Sequence, residues 1–529
     1  MQPFSPPTVS FSVPVWRRRP VRLMFAGCCL LALTAAVRRI VTDLTLVAQL
    51  HTAAGDHLDQ QTLLALVQQG RPQDAFDRAF EHGDVMFETH FNALDGGGAN
   101  VGGGQRYTHV PRADRTGPGE WANHFPSRAT GPNADSCNSC HNRPADDGAG
   151  GPGGNVHRDP LHTGSISRMI ERNTPHTFGA GAVQRLAEEM TVALLAIKDQ
   201  LAQQVRQTGR HASAPLVAKG VGFGTLRAYL PFFSTRVAFD FSQVQGVDDD
   251  LVVKPFQWKG SVAFLRDFNR GAAHNELGMQ AVELVGAGVD GDGDGVTDEF
   301  SIGDMTALAV YVAAQPRPVT RVELSALGLI PALTPAEIAA IQRGEAVFGQ
   351  IGCASCHVPR LQVDDVVFRE PSADPHYRDA RFPAGQLPSS LGVRTDFPVS
   401  FDLTADQPEN VIVVNGQTVH LGSFVHGPGG TGAVVELYGD LKRHRMGAGL
   451  AESIDEVGTG ASTFLTENLW GVGSTAPYLH DGRATTLTEA ILEHGGESAA
   501  SRNAFTALPL SAQQDLIAFL DNLVLFKAP

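Results

Sequence analysis

Apolar residues recur at helical spacing in several stretches of the 529-residue chain. In residues 334–351, Ile338, Ile341, Val347, Phe348 and Ile351 form an apolar face, Thr334 stands as N-cap and Pro335 takes the first helical position. A helix is predicted there, delivering Cys353 at its end. Residues 72–91 predict a similar helix closing on Met86-Phe87-Glu88-Thr89-His90-Phe91. A long amphipathic helix is predicted from about Gly181 to Gln207, and another from Met305 to Ala314 that stops at Gln315-Pro316-Arg317-Pro318. From Thr235 to Val253 the pattern alternates, which predicts a short hairpin. The glycine-rich run from Asp95 to Gly104 follows no strand and opens no helix, so it reads as a loop and not as a phosphate cradle.

The first forty residues carry a different pattern. Arg17, Arg18, Arg19 and Arg22 precede an apolar run from Leu23 to Val37, closed by Arg38 and Arg39. This is the order of an export signal, and the run is short for a membrane span. No clean small-residue cleavage site stands near Ala35 or Ala36, so residues 1–39 read as an export signal or an N-terminal anchor. Phe25-Ala26-Gly27-Cys28 is only a faint lipoprotein box, early in the run.

Composition adds size and sign. The length predicts more than one domain, and 57 glycines with 32 prolines predict much loop. The formal net charge is −15, which disfavours nucleic acid and membrane-surface binding and favours a small basic redox partner.

Cysteine usage decides more. Of six cysteines, Cys28 and Cys29 lie in the N-terminal segment. The other four form Cys137-Asn-Ser-Cys140-His141 and Cys353-Ala-Ser-Cys356-His357. C-x-x-C-H is the attachment signature of a c-type haem: two thiols meet the two vinyl groups of one porphyrin, and the next histidine coordinates the iron. A zinc site pairs two C-x-x-C knuckles or adds histidine at wider spacing. Here the pairs lie 216 residues apart and histidine follows each at once. Two covalent haems c are therefore expected, with His141 and His357 as proximal ligands. A weak internal repeat lays Leu265–Gly278 on Leu469–Gly482 without a gap. With the proline stop it places the boundary between two modules near residue 316: 40–316, with an N-terminal helical extension, and 317–529.

One further motif is an acidic loop. Asp290, Asp292, Asp294 and Asp298 occupy positions 1, 3, 5 and 9 of a calcium-type loop with Gly295 at position 6, although Ser301 replaces the glutamate expected at position 12. Calcium is expected there.

The second motif, Gly352-Cys-Ala-Ser-Cys-His-Val-Pro359, together with Phe256-Gln-Trp-Lys259, Leu469 to Ala484 and Thr486 to Glu497, resembles the dihaem oxidoreductases related to bacterial cytochrome c peroxidases, also called thiol-oxidoreductase-like. The resemblance covers roughly residues 80–525. It implies a mainly α fold of two cytochrome-c-like haem domains with long loops and a few short strands. It also implies an exported, peroxidase-like enzyme in which one haem passes electrons to another that reacts with peroxide. Met446 matches the family's distal methionine, and Trp258 resembles the tryptophan between the haems. His480 is expected near the second haem. For the first haem, His274 is the distal candidate, with His176 as competitor, and Glu276 or Glu283 is the acid–base group a peroxide site requires. A cytochrome c or a cupredoxin is the expected redox partner, with hydrogen peroxide or dioxygen as oxidant. Two alternatives stay open: an electron-transfer cytochrome without catalysis, and a dihaem oxygenase or oxidase of an organic or protein substrate.

Overall fold

Four of the predicted helices form close to their expected bounds in the computed structural model, which describes residues 57–101, 104–112, 123–414 and 416–527. The segment read as an export signal or anchor lies outside the described residues. Helix α1 (Gln60–Gln68) is capped by Asp59, and α2 (Pro72–Glu88) carries the buried face Phe76, Ala79, Phe80, Met86 and Phe87. The long helix α3 runs Ala180–Thr208, followed by α4 (Leu265–Ala272) and α5 (Ile302–Ala313), whose residues are buried on every side. Helix α6 (Pro335–Gln350) starts at the expected Thr334, which shares a capping box with Glu337. Near the C-terminus come α7 (Leu487–Glu493), α8 (Ala499–Thr506) and α9 (Leu510–Leu520).

The expected mainly α class is not what forms. About 35% of the described residues are helical and 15% are strand, and two cytochrome-c-like domains are not shown. The strands make seven sheets of two or three strands among the described residues. Many prolines and positive-φ glycines cut the chain into short extended pieces, each pairing locally. Strands β1 (Ala212–Ala218), β2 (Val221–Tyr229) and β3 (Ala238–Asp240) form one antiparallel sheet. The hairpin expected over 235–253 thus contributes only β3. The main hairpin, β1–β2, lies upstream around the turn Lys219-Gly220, where both residues have positive φ. Elsewhere β4 (Val319–Thr320) pairs with the C-terminal Leu523–Val524, and β5 (Leu361–Val363), β6 (Val425–His426) and β7 (Ala433–Val435) make a second three-stranded sheet. Strand β8 (Arg443–Arg445) pairs with β9 (Thr463–Leu465).

Residues His57–Pro529 form one compact unit. Its largest core joins α2, α3 and α5 to Leu361, Val363, Phe368, Val435 and Trp470 from the other side of residue 316. A second core holds Phe348, Phe505, Leu516 and Phe519.

The repeat proposed between 265–278 and 469–482 has no structural counterpart, since the first copy is α4 running into a π-helical turn and the second is irregular. A different repeat is present. On α2, a Cβ at Gly83 would lie 2.4 Å from Ala307 O on α5. On α6, a Cβ at Gly344 would lie 1.9 Å from Asp515 O on α9. Each glycine lets a helix pair cross in contact, and four residues later, one turn on, each helix carries a phenylalanine, Phe87 or Phe348. Phe87 packs on Tyr311 of α5 with ring centroids 5.6 Å apart, and Phe348 on Phe519 of α9 at 5.4 Å.

Candidate functional site

Each of those phenylalanines covers a C-x-x-C-H histidine. The ring centroids are 5.7 Å apart for Phe87 and His141, and 6.4 Å for Phe348 and His357. The motifs share one local geometry. Cys137–Ser139 and Cys353–Ser355 are single 3-10 turns, and the amide of His141 or His357 donates back to the first cysteine's carbonyl. Ser136 Oγ accepts from Ser139 N at the first turn, and Gly352, at φ 86°, opens the second. His141 Nδ1 donates to Gly148 O at 3.1 Å, and His357 Nδ1 to Tyr438 O at 3.2 Å. A carbonyl only accepts, so the proton sits on Nδ1 and Nε2 keeps its lone pair. Burial pushes both imidazoles down to about 4. Neutral rings with an oriented second nitrogen are the form in which histidine binds a metal.

The second motif opens into a cavity of ≈ 1650 Å³, mouth included, walled by Cys353, Cys356, His357 and mainly apolar side chains such as Phe348, Phe464, Leu469 and Leu520. Beside the two thiols, four further expected site residues meet there: His357, Met446, Trp258 and His480. Trp258 Nε1 donates to Asn173 O at 2.8 Å. His480 is stacked on Phe464 with centroids 4.2 Å apart, and burial lowers it to about 4. His176, the competitor, lines the same cavity; its Nε2 donates to Trp470 O at 3.0 Å and its buried Nδ1 has no partner. Asn173 Oδ1 and Asn468 Oδ1 are likewise buried without a partner. Buried polar atoms left unpaired in a large apolar cavity fit a bound group that carries its own polar substituents. The paired thiols, the apolar walls and the imidazole nitrogen fit a haem.

One residue on this wall escaped the sequence reading. His494 lies across from His357 with ring centroids 6.3 Å apart, and its Nδ1 donates to Ala490 O at 2.7 Å. Its Nε2 is therefore left as the acceptor nitrogen, as in His357. Met446 lines the same cavity, with Ser498 Oγ 3.9 Å from its sulfur. A histidine spaced from the motif by most of the second half offers no local pattern to find it by.

Of the residues expected at the first motif, the structure brings Glu276 to it. Its Oε2 is bonded to Asn133 Nδ2, Arg158 lies 3.6 Å from Oε1, and burial raises its carboxyl. After burial, this carboxylate is the next cause holding the Cys140 thiol up. His274, two residues earlier on the π-helical turn, meets other partners. Its Nε2 contacts Ser127 O at 3.3 Å, its Nδ1 is unpartnered and burial lowers it to about 3. Glu283 is fully buried between Arg266 and Arg270, in a network that adds Glu370 and Asp379. That network is separate from either motif's histidine.

In the acidic loop, one carboxylate oxygen each from Asp290, Asp292 and Asp294 converges within 4.8 Å. Asp298 turns aside and accepts from Gly288 N at 2.7 Å. Asp292 pairs with the buried Arg128 at 2.9 Å and leaves Oδ1 unpartnered, and Asp294 pairs with Arg106 at 3.1 Å. Beside them Glu299, also missed from sequence, is raised to about 9 by burial and then by Asp292 and Asp294.

Residues 418–523 match a family model described as "Di-haem oxidoreductase, putative peroxidase". No match was found among curated proteins. Among solved structures, the chain is similar to a MauG-like protein associated with microbial copper homeostasis, at 17% identity and a TM-score of 0.24, over 66% of this chain and 88% of that one. No helix among the described residues is long and apolar enough to cross a membrane.

Proposed function

We propose that this chain is an exported, peroxidase-like oxidoreductase holding two covalent haems, one on Cys137, Cys140 and His141, the other on Cys353, Cys356 and His357. The observation that carries the reading is the second cavity: both thiols, a neutral His357 and a facing neutral His494 on its walls. With ring centroids 6.3 Å apart on this cavity, His357 and His494 are the two imidazoles that would hold the second haem's iron. His494 therefore competes with Met446 for the sixth position, and the free Nε2 favours His494. When bound, the haems supply one-electron redox chemistry at iron.

The protein's own groups divide the work. At the second site His357 and His494 would hold the haem's iron, an arrangement that would suit electron entry. At the first site Glu276, half-buried and raised, holds or gives up a proton near Cys140, as peroxide reduction requires. Trp258 lines the second cavity and is bonded to Asn173, offering an aromatic relay toward the first motif. The acidic chain suits a small basic electron donor, a cytochrome c or cupredoxin. Calcium on Asp290, Asp292 and Asp294 would neutralise a loop whose acids outnumber its two arginines.

The test is electron paramagnetic resonance of the oxidised and half-reduced protein, with a pyridine haemochrome assay. Two c-type haems per chain, one low-spin and one becoming high-spin and peroxide-reactive, are expected. Two low-spin haems inert to peroxide in both states would replace the enzyme by an electron carrier.

A further inference from the structure

The β1–β2–β3 sheet ends in a feature that neither the core nor the redox site uses. Between β2 and β3 the chain turns through Pro231-Phe232-Phe233-Ser234, and the two phenylalanines are 90% and 99% exposed, more than any other large apolar side chain described. Their rings pack edge-on against each other at 4.5 Å. The turn has a fixed shape: Ser234 N donates to Pro231 O at 3.0 Å, and Ser234 Oγ accepts from Arg236 N at 3.0 Å. Phe233 has φ 61°, a conformation that a bulky residue adopts only under strain. A strained residue whose side chain touches almost nothing gives the fold no return, and such strain points to function.

The surroundings indicate what the tip meets. Tyr229, at the end of β2, is exposed and packs on His211, with ring centroids 5.6 Å apart. Arg210, just before β1, and Arg236, just before β3, are exposed at this end, and Arg206 ends α3 nearby in the chain. The acid on β3, Asp240, is 3.8 Å from Arg227. A chain of net charge −15 thus presents arginines around an aromatic tip. Aromatic rings ringed by arginine match the boundary of an anionic bilayer, where rings enter the headgroup region and guanidinium groups meet phosphate.

We propose that Phe232 and Phe233 form a membrane-docking finger that inserts into the interfacial layer of an anionic lipid bilayer, with Arg210 and Arg236 on the headgroups. This is independent of the redox reading. The test uses the full-length holoprotein carrying Phe233→Trp and vesicles of phosphatidylcholine alone or mixed equally with phosphatidylglycerol. Because residues 23–37 can also bring the chain to lipid, the local tryptophan is the readout. A blue-shifted emission, quenched by brominated lipid in the mixed vesicles and reversed by salt, is expected. In vesicle sedimentation, Phe232→Ser with Phe233→Ser should weaken binding roughly a hundredfold or more, since burying each ring is worth at least about one decade. Unchanged haem spectra confirm folding of both variants. Emission that ignores lipid while the chain sediments overturns the proposal. So does a serine variant whose self-association changes without lipid, which would make the tip a contact between copies.

Discussion

Glu276 and His274 stand two residues apart on one π-helical turn, yet the turn sends them to different surroundings. Glu276 reaches Asn133, Arg158 and the neighbourhood of Cys140, while His274 meets Ser127. Glu276→Gln keeps shape and hydrogen bonding but cannot carry a proton to and from peroxide. It should lower peroxide turnover by about 10²–10⁴-fold, the usual weight of a general acid–base group, with both haem spectra unchanged. Loss of a haem band instead would make Glu276 structural. At this scale the sequence is most legible where geometry is local: each thiol pair and its histidine are adjacent, so the shared turn that gathers them follows from spacing. His494 was not legible, because what marks it is a carbonyl at Ala490 and a ring facing it from His357.

Among elements, helices with an apolar stripe and a cap were read close to their bounds, whereas β1–β2 was missed. Its strands hold glycine, alanine and proline, which carry little strand signal, so pairing and burial of Leu216, Phe223 and Leu226 decide the structure. The glycine crossings were also silent, since a glycine inside a helix reads as a weakness until its partner helix is known. Gly344→Val forces a branched side chain against Asp515 O and should cost about 1–3 kcal/mol or more, read as a lower thermal midpoint with impaired attachment of the second haem. The acidic loop makes a prediction with a sign. Glu299 is raised from 4.5 to about 9, so between those values the folded chain binds more protons than the unfolded one. Without calcium, stability should fall as pH rises through that window. If Asp290, Asp292 and Asp294 bind calcium, the ion replaces the proton, so added calcium should raise the thermal midpoint more at pH 8 than at pH 6, and a chelator should reverse it. A melting profile indifferent to calcium at both values would remove the site.

At the scale of the whole molecule, the two motifs are tied together across residue 316. Arg158 and Arg172 pair with Glu452 and Glu456, Asn173 N donates to His480 O at 2.8 Å, and Asn155 Nδ2 donates to Asp481 O at 2.9 Å. Chain from one half thus helps wall the cavity of the other. The last prediction follows from this arrangement. If each iron has its own surroundings but the sites share a wall, a redox titration should show two separate one-electron waves. Imidazole on both faces holds an iron at lower potential than imidazole with thioether, so the identity of the residue facing His357 sets where the second haem's wave lies. His494→Met should raise that wave alone, within the roughly 0.8 V range that axial ligands span, and should create a sulfur-to-iron charge-transfer band absent from the wild type. Met446→Leu should leave the wave and the low-spin spectrum in place, because on this reading its sulfur packs without binding. If Met446→Leu instead abolishes a wild-type charge-transfer band and lowers the wave, Met446 is the sixth ligand and His494 only lines the cavity. Should Cys137→Ala with Cys140→Ala, which leaves one haem attached, also move the remaining wave, the shared wall transmits charge between the sites. The separation of the waves would then belong to the pair of haems and not to either ligand set alone.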